Sequence, residues 1–144
     1  MPWLPILTPM DQSFRLRIVT PNREVVMEDV GEIQVPGREG YLGILPGHAP
    51  LISELKVGEI SYRRGRESSR LAVSGGFVEV LPDQVTILAE TAEKAEEIDV
   101  ARAQAAKERA EKRLRGQEGD LDLSRAAISL ERALIRLQVA ARGR

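Results

Sequence analysis

Proline stops abruptly in this 144-residue chain. All eight prolines lie between Pro2 and Pro82, and nine of the twelve glycines precede residue 77. Proline breaks helix interiors, and glycine serves tight turns. The first part therefore reads as short strands joined by turns. After residue 97 alanine, arginine, glutamate and leucine dominate, which are strong helix formers. Charge divides at the same place. Residues 97–144 carry 11 basic and 8 acidic side chains, whereas residues 1–96 carry 10 and 14. The expected class is α+β with segregated parts, a β-rich body followed by a helical appendage.

Alternation supports the β reading. Phe14, Leu16 and Ile18 alternate with Arg15, Arg17 and Val19, ahead of Thr20-Pro21. Further runs are Val25–Met27, Ile33 with Val35, Gly58–Tyr62, Leu71–Val73, Phe77–Val80 and Val85–Leu88. Their spacing of about 10 residues with turn residues between suggests a sandwich or barrel. Arg63–Glu67 looks like a hairpin tip, and Pro82-Asp83 marks another turn.

The second part has helical periodicity. Ala103, Ala106, Ala110 and Leu114 fall on one face, as do Leu123, Ala127, Leu130, Leu134, Leu137 and Ala141. The stretch Gly116–Asp122 interrupts the pattern and offers aspartates to start a second helix. An antiparallel two-helix hairpin is expected. Alanine buries little area, so at about 25 cal/mol per Å² the helix contact gains only a few kcal/mol before entropy is subtracted. Such an element can hold two poses.

Several functions are excluded or disfavoured. Without cysteine there are no disulfides, thiolate metal sites or cysteine nucleophile. His48, the single histidine, cannot make a multi-histidine metal centre. A net charge of -1 disfavours a general grip on nucleic acid or anionic lipid. No 18-residue apolar run exists to span a bilayer, so a cytoplasmic protein without direct membrane insertion is expected. Residues 1–10 are short and apolar with three prolines and no basic flank, and residues 1–12 read as an extended arm rather than a signal peptide.

Three motifs carry a likeness. They are Gly40-Tyr-Leu-Gly43-Ile-Leu-Pro-Gly47-His-Ala-Pro50-Leu, then Ser74-Gly-Gly-Phe-Val-Glu-Val80, then Ile98-Asp-Val-Ala-Arg-Ala103. In this order and spacing the chain resembles the epsilon subunit of the bacterial rotary ATP synthase, from residue 13 to about 140. The resemblance implies a β-sandwich of about ten strands over 13–92 and a regulatory helical hairpin over 93–144. It implies a non-catalytic rotor subunit of a proton-translocating complex, peripheral on the cytoplasmic face of the bacterial cell membrane. Its partners would be the gamma subunit, the c-ring and the catalytic-head alpha and beta subunits. The hairpin would either fold on the sandwich or extend into the head and block ATP hydrolysis.

The resemblance also assigns residues. Arg38, Glu39, Gly40 and Tyr41 would touch the c-ring, and His48 would lie close to rotor partners. By spacing alone Gly40–Leu51 is a shaped loop between strands, and His48 is a hydrogen-bonded structural histidine rather than a base. Ser74-Gly75-Gly76 lacks the lysine and helix of a phosphate loop and reads as a bulge or close backbone approach. Glu93, Asp99, Arg102, Ala103, Arg109, Arg132 and Arg136 match the family's ATP-binding set. That likeness puts Glu93 and Asp99 on the adenine side and the arginines on the phosphates. ATP would then be a regulatory ligand, with no catalytic cofactor. Asp99 also reads as a helix cap. Without the resemblance, Arg102, Arg109 and the i, i+4 pair Arg132 and Arg136 are a solvated charged face making local pairs, with Glu108 or Glu131. Two other classes remain open from the residues. One is a stand-alone sandwich binding module with a dimerising hairpin, and the other is an enzyme with its site in the Gly40–Leu51 loop.

Overall fold

A computed structural model describes residues 12–116 and 122–143. The proposed arm, apart from Gln12, and the middle of the Gly116–Asp122 interruption lie outside the described residues. Eight strands come first, β1 (Phe14–Val19), β2 (Glu24–Val30), β3 (Glu32–Gly37), β4 (Gly40–Ile44), β5 (Leu51–Leu55), β6 (Gly58–Arg64), β7 (Glu67–Leu81) and β8 (Gln84–Lys94). A 3₁₀ turn (Ala95–Glu97) leads into α1 (Val100–Leu114) and α2 (Leu123–Arg142).

The strands fold through one long hairpin. β7 has 15 residues and pairs with β8 along its length. Its first half pairs with β6 on the other side, and its second half pairs with β5. The turn between β6 and β7 holds Gly65 at φ +64°, as the Arg63–Glu67 pattern implied. One layer therefore runs β4-β3-β6-β7-β8, and the other runs β5-β7-β8-β1-β2. Leu16, Ile18, Ile33, Val35, Ile60, Leu71, Val78, Val80 and Ile87 fill the space between them. The alternation in β1 sends Arg15 and Arg17 outward, where they meet Asp29 and Glu24 on β2.

The count of eight among the described residues differs from the ten implied by the resemblance. Leu71–Val73 and Phe77–Val80 are parts of one strand. Gly75 and Gly76, at φ +64° and +115°, bend it without ending it. A Cβ on Gly76 would lie 2.0 Å from the Leu88 carbonyl oxygen, so two backbones meet there at a distance no side chain permits. The Gly40–Leu51 stretch is also more regular than a loop. Gly40–Ile44 pairs with β3 as β4, which leaves only residues 45–50 irregular.

Both helices start on aspartate. Asp99 Oδ1 accepts the Arg102 N–H at 3.0 Å, and Asp122 Oδ1 accepts the Arg125 N–H at 3.2 Å. Each bond satisfies a first-turn donor that has no partner within the helix. Gly116, at φ +72°, follows the end of α1.

The face by which α2 meets α1 corrects the sequence reading. Leu123 and Leu134 are 55% and 44% exposed, and Ala127 and Ala141 are exposed as well. The buried residues are Ala126, Ala133 and Ala140 on α2, and Ala103 and Ala110 on α1. Seven-residue spacing keeps each set on one ridge. Alanine has no bulk beyond Cβ, so two alanine ridges let the helix axes approach closely and leave the leucine row beside the contact. Val139 and Ala140 also pack with Ala72, Ala95 and Ile98, with Ile135 alongside. The hairpin thus lies closed on the outer face of the β6–β7 layer.

Candidate functional site

A cleft of about 240 Å³ lies where the two helices meet the sandwich. Arg109 and Arg113 come from α1, Ser129, Arg132 and Arg136 from α2, and Ser74 and Thr91 from the floor on β7 and β8. The spacing explains the convergence. Arg109 with Arg113, and Arg132 with Arg136, are i, i+4 pairs that stay on one face of their helices. Both faces sit on the sandwich side of the alanine ridges. Ser74 is buried and shares a hydrogen bond with Thr91 at 2.5 Å across the β7–β8 pair.

Arg136 already has a partner, since its Nε lies 2.6 Å from Glu93 Oε1 on β8. Both side chains are about one-third exposed, so solvent screens the pair and its strength is modest. Guanidinium groups converging from two helices, those of Arg109, Arg113, Arg132 and Arg136, suit a polyanion with several phosphate oxygens.

The residues singled out in the sequence divide. Arg109, Arg132 and Arg136 line this cleft, and Glu93 touches it through Arg136. Arg102 occupies the same face of α1 two turns nearer its start and is not among the residues lining the cleft. Asp99 is committed to capping α1, and Ala103 is buried in the helix contact. Sequence reasoning missed Arg113, Ser74 and Thr91. Arg113 carried a signal, its i, i+4 spacing from Arg109. The two hydroxyls carried none, because only strand pairing puts Ser74 opposite Thr91.

The remaining set splits into two places. Arg38 and Glu39 form the β3–β4 turn, flanked by Gly40 and Tyr41. Arg38 Nη1 lies 2.7 Å from Glu54 Oε2, and the Tyr41 hydroxyl accepts the Glu59 N–H at 3.0 Å. His48 lies beyond the other end of β4. Its N–H donates to Leu45 O at 3.2 Å, and its Nδ1 lies 2.7 Å from Ala49 O. These contacts tie it to its own loop.

The sandwich carries an exposed apolar patch that the motifs did not disclose. Phe77 and Leu88 sit directly opposite each other on β7 and β8, 55% and 57% exposed. Ile52 on β5 is 71% exposed on the same face. A trough of about 520 Å³ runs beside Val19, Pro21, Phe77 and Leu88. Glu54 and Glu79 share this face with Ile52 and Phe77, and exposed apolar side chains grouped in this way are candidates for burial against a partner.

Two family models match consecutive parts of the chain. Residues 13–95 match the β-sandwich domain of the ATP synthase delta/epsilon chain, and residues 96–141 match its long α-helix domain. The chain belongs to the ATP synthase delta/epsilon chain family. Among its relatives, the ATP synthase epsilon chain of Syntrophobacter fumaroxidans is 52% identical over 131 residues, covering 91% of this chain and 98% of the relative. That of Koribacter versatilis is 62% identical over 105 residues, covering 73% and 74%. A chain in the Euglena gracilis mitochondrial ATP synthase structure of OSCP, F1 and c-ring superposes with a TM-score of 0.77 at 26% identity, over 93% of this chain and 84% of that one. A chain of the Tetrahymena thermophila central stalk and c-ring shares the fold at a TM-score of 0.57 and 19% identity. Among the described residues, no helix of this family member is long and apolar enough to cross a membrane.

Proposed function

We propose that this chain is a non-catalytic rotor subunit of a proton-translocating ATP synthase, linking the gamma subunit to the c-ring. In this reading its helical hairpin is an ATP-sensitive brake on hydrolysis by the alpha and beta subunits of the head. The arginine cleft carries the proposal. Its walls come from α1, α2 and the sandwich together, so it exists only while the hairpin is closed. A ligand held there binds one pose and not the other, which is the condition for shifting an equilibrium.

Binding would place the phosphates of ATP among Arg109, Arg113, Arg132 and Arg136. Glu93 would then share or release Arg136. At low ATP the hairpin would open and present its basic end, Arg132, Arg136 and Arg142, to acidic surfaces of the head. The patch of Ile52, Phe77 and Leu88 suits burial against gamma, and the Arg38–Tyr41 turn suits the polar loops of the c-ring. The assembly would work at the cytoplasmic face of the bacterial membrane.

Calorimetric titration of the full chain with MgATP tests the site. Saturable binding by the wild type, weakened at least tenfold by Arg132→Ala with Arg136→Ala, supports it, since charged hydrogen bonds contribute about 1.5–3 kcal/mol each. Equal binding by both proteins removes it.

A further inference from the structure

One acidic side chain lies where an alternating strand should face water. Glu59 precedes the core residue Ile60 on β6, so it points away from the core, yet it is 6% exposed. The last turns of α2 cover it. Glu59 Oε1 accepts from Gln138 Nε2 at 3.3 Å, and Oε2 lies 3.6 Å from Arg142 Nη1. Arg70, on the neighbouring strand β7, reaches the same Oε2 at 2.6 Å. A carboxylate so enclosed is costly unless it is paired and hydrogen-bonded.

We propose that this cluster is a nucleotide-independent latch, in which Glu59 holds the end of α2 down through Gln138 and Arg142. The inference rests on the reading that the hairpin moves. Arg70 gives the latch its character. It belongs to the sandwich, so the carboxylate keeps a cation when α2 leaves and no buried charge is stranded. Opening costs only the contacts made by α2. Of these, Gln138 donates to a buried charge and matters more, while Arg142 is half exposed and screened. The arginine cleft lies elsewhere, and none of Glu59, Gln138 and Arg142 lines it. Beside the apolar contact of Val139 and Ala140 and the Arg136–Glu93 pair, the closed pose therefore has two further holds, one permanent and weak at Glu59, the other supplied by ligand in the cleft.

The chain has no cysteine, so two can be introduced for spin labels without a background. Labels at Arg66 on the β6–β7 turn and Ser124 on α2 report the open-to-closed ratio of the full chain, measured with and without MgATP. Gln138→Ala with Arg142→Ala is expected to raise that ratio about tenfold without nucleotide, since the lost bonds are charge-assisted. Glu59→Gln is expected to raise it in the same direction, and adding it to the double variant should have little further effect. The sandwich melting transition checks that all variants fold. An unchanged ratio in the double variant overturns the latch. A raised ratio in that variant, beside a wild type indifferent to MgATP, supports the latch and overturns control by nucleotide.

Discussion

The packing of alanine on alanine yields a prediction opposite to the one hydrophobicity suggests. Ala133 on α2 is 1% exposed, and the ridge it faces on α1 contains the equally buried Ala110. Ala133→Leu adds three carbon atoms where two helices are at their closest. Overpacking of this kind costs about 1–3 kcal/mol, which shifts a two-pose equilibrium about 5- to 150-fold. The rigid sandwich bears none of that strain, so the helices should part while the body stays folded. Leu134→Ala removes the same three carbons one position away, from a side chain 44% exposed. Its loss is about 1 kcal/mol or less, and alanine improves helix propensity. Hydrogen exchange at the amides of α1 and α2 reads both effects in the full chain. Ala133→Leu should accelerate exchange across the hairpin, and Leu134→Ala should change it little. The reverse order would show that the leucine row, rather than the alanine ridges, holds the helices together.

Three further outcomes follow from the same structure. Glu97 accepts from Arg23 at 2.9 Å and from the Lys94 N–H at 3.0 Å, and these bonds hold its carboxyl below the usual range. A depressed carboxyl stabilises the fold above its unfolded pKa, and the contribution is lost as pH falls through the folded value. Acid melts should therefore show a smaller loss of stability in Arg23→Ala than in the wild type below about pH 4.3. Burial, with the hydrogen bond to Glu28, raises the Tyr62 hydroxyl to about 12. Its neutral form favours folding, so that contribution is complete below pH 10 and fades as pH rises toward 12; ultraviolet titration should show a wild-type transition near 12 that loses amplitude in Tyr62→Phe. Gly76→Ala forces a side chain onto the Leu88 carbonyl at a positive φ. The sandwich should lose about 3 kcal/mol in denaturant melts, and an unchanged midpoint would refute the close approach.

Much of the fold was legible because its signals are local. Phe14, Leu16 and Ile18 announced a strand, and Asp99 and Asp122 announced two helix starts. What escaped depended on partners distant in sequence. The close backbone approach read at Ser74-Gly75-Gly76 is present at Gly76, but the runs Leu71–Val73 and Phe77–Val80 look like separate strands until β8 is seen to pair with both. The leucine row of α2 looks like the contact face, because periodicity registers hydrophobicity and takes no account of how closely small residues approach. Glu59 looks like an outward polar residue until α2 is laid over it. In the cleft, helical spacing pairs Arg132 with Arg136, and the family resemblance groups them with Arg109. Ser74 and Thr91 could not be grouped with them, since their meeting is a matter of strand register. Arg102 shows the limit of the spacing argument. It shares the face of Arg109 but lies beyond the end of the cleft.

In the proposed cycle, nucleotide decides how much of the time the hairpin lies on the sandwich. The most direct measurement is the distance distribution between Arg66 and Ser124 labels in the full chain as MgATP is raised. Two populations are expected, with the closed-pose distance gaining share as MgATP is added and that gain absent in Arg132→Ala with Arg136→Ala. A single distance at every MgATP concentration would contradict the proposed cycle.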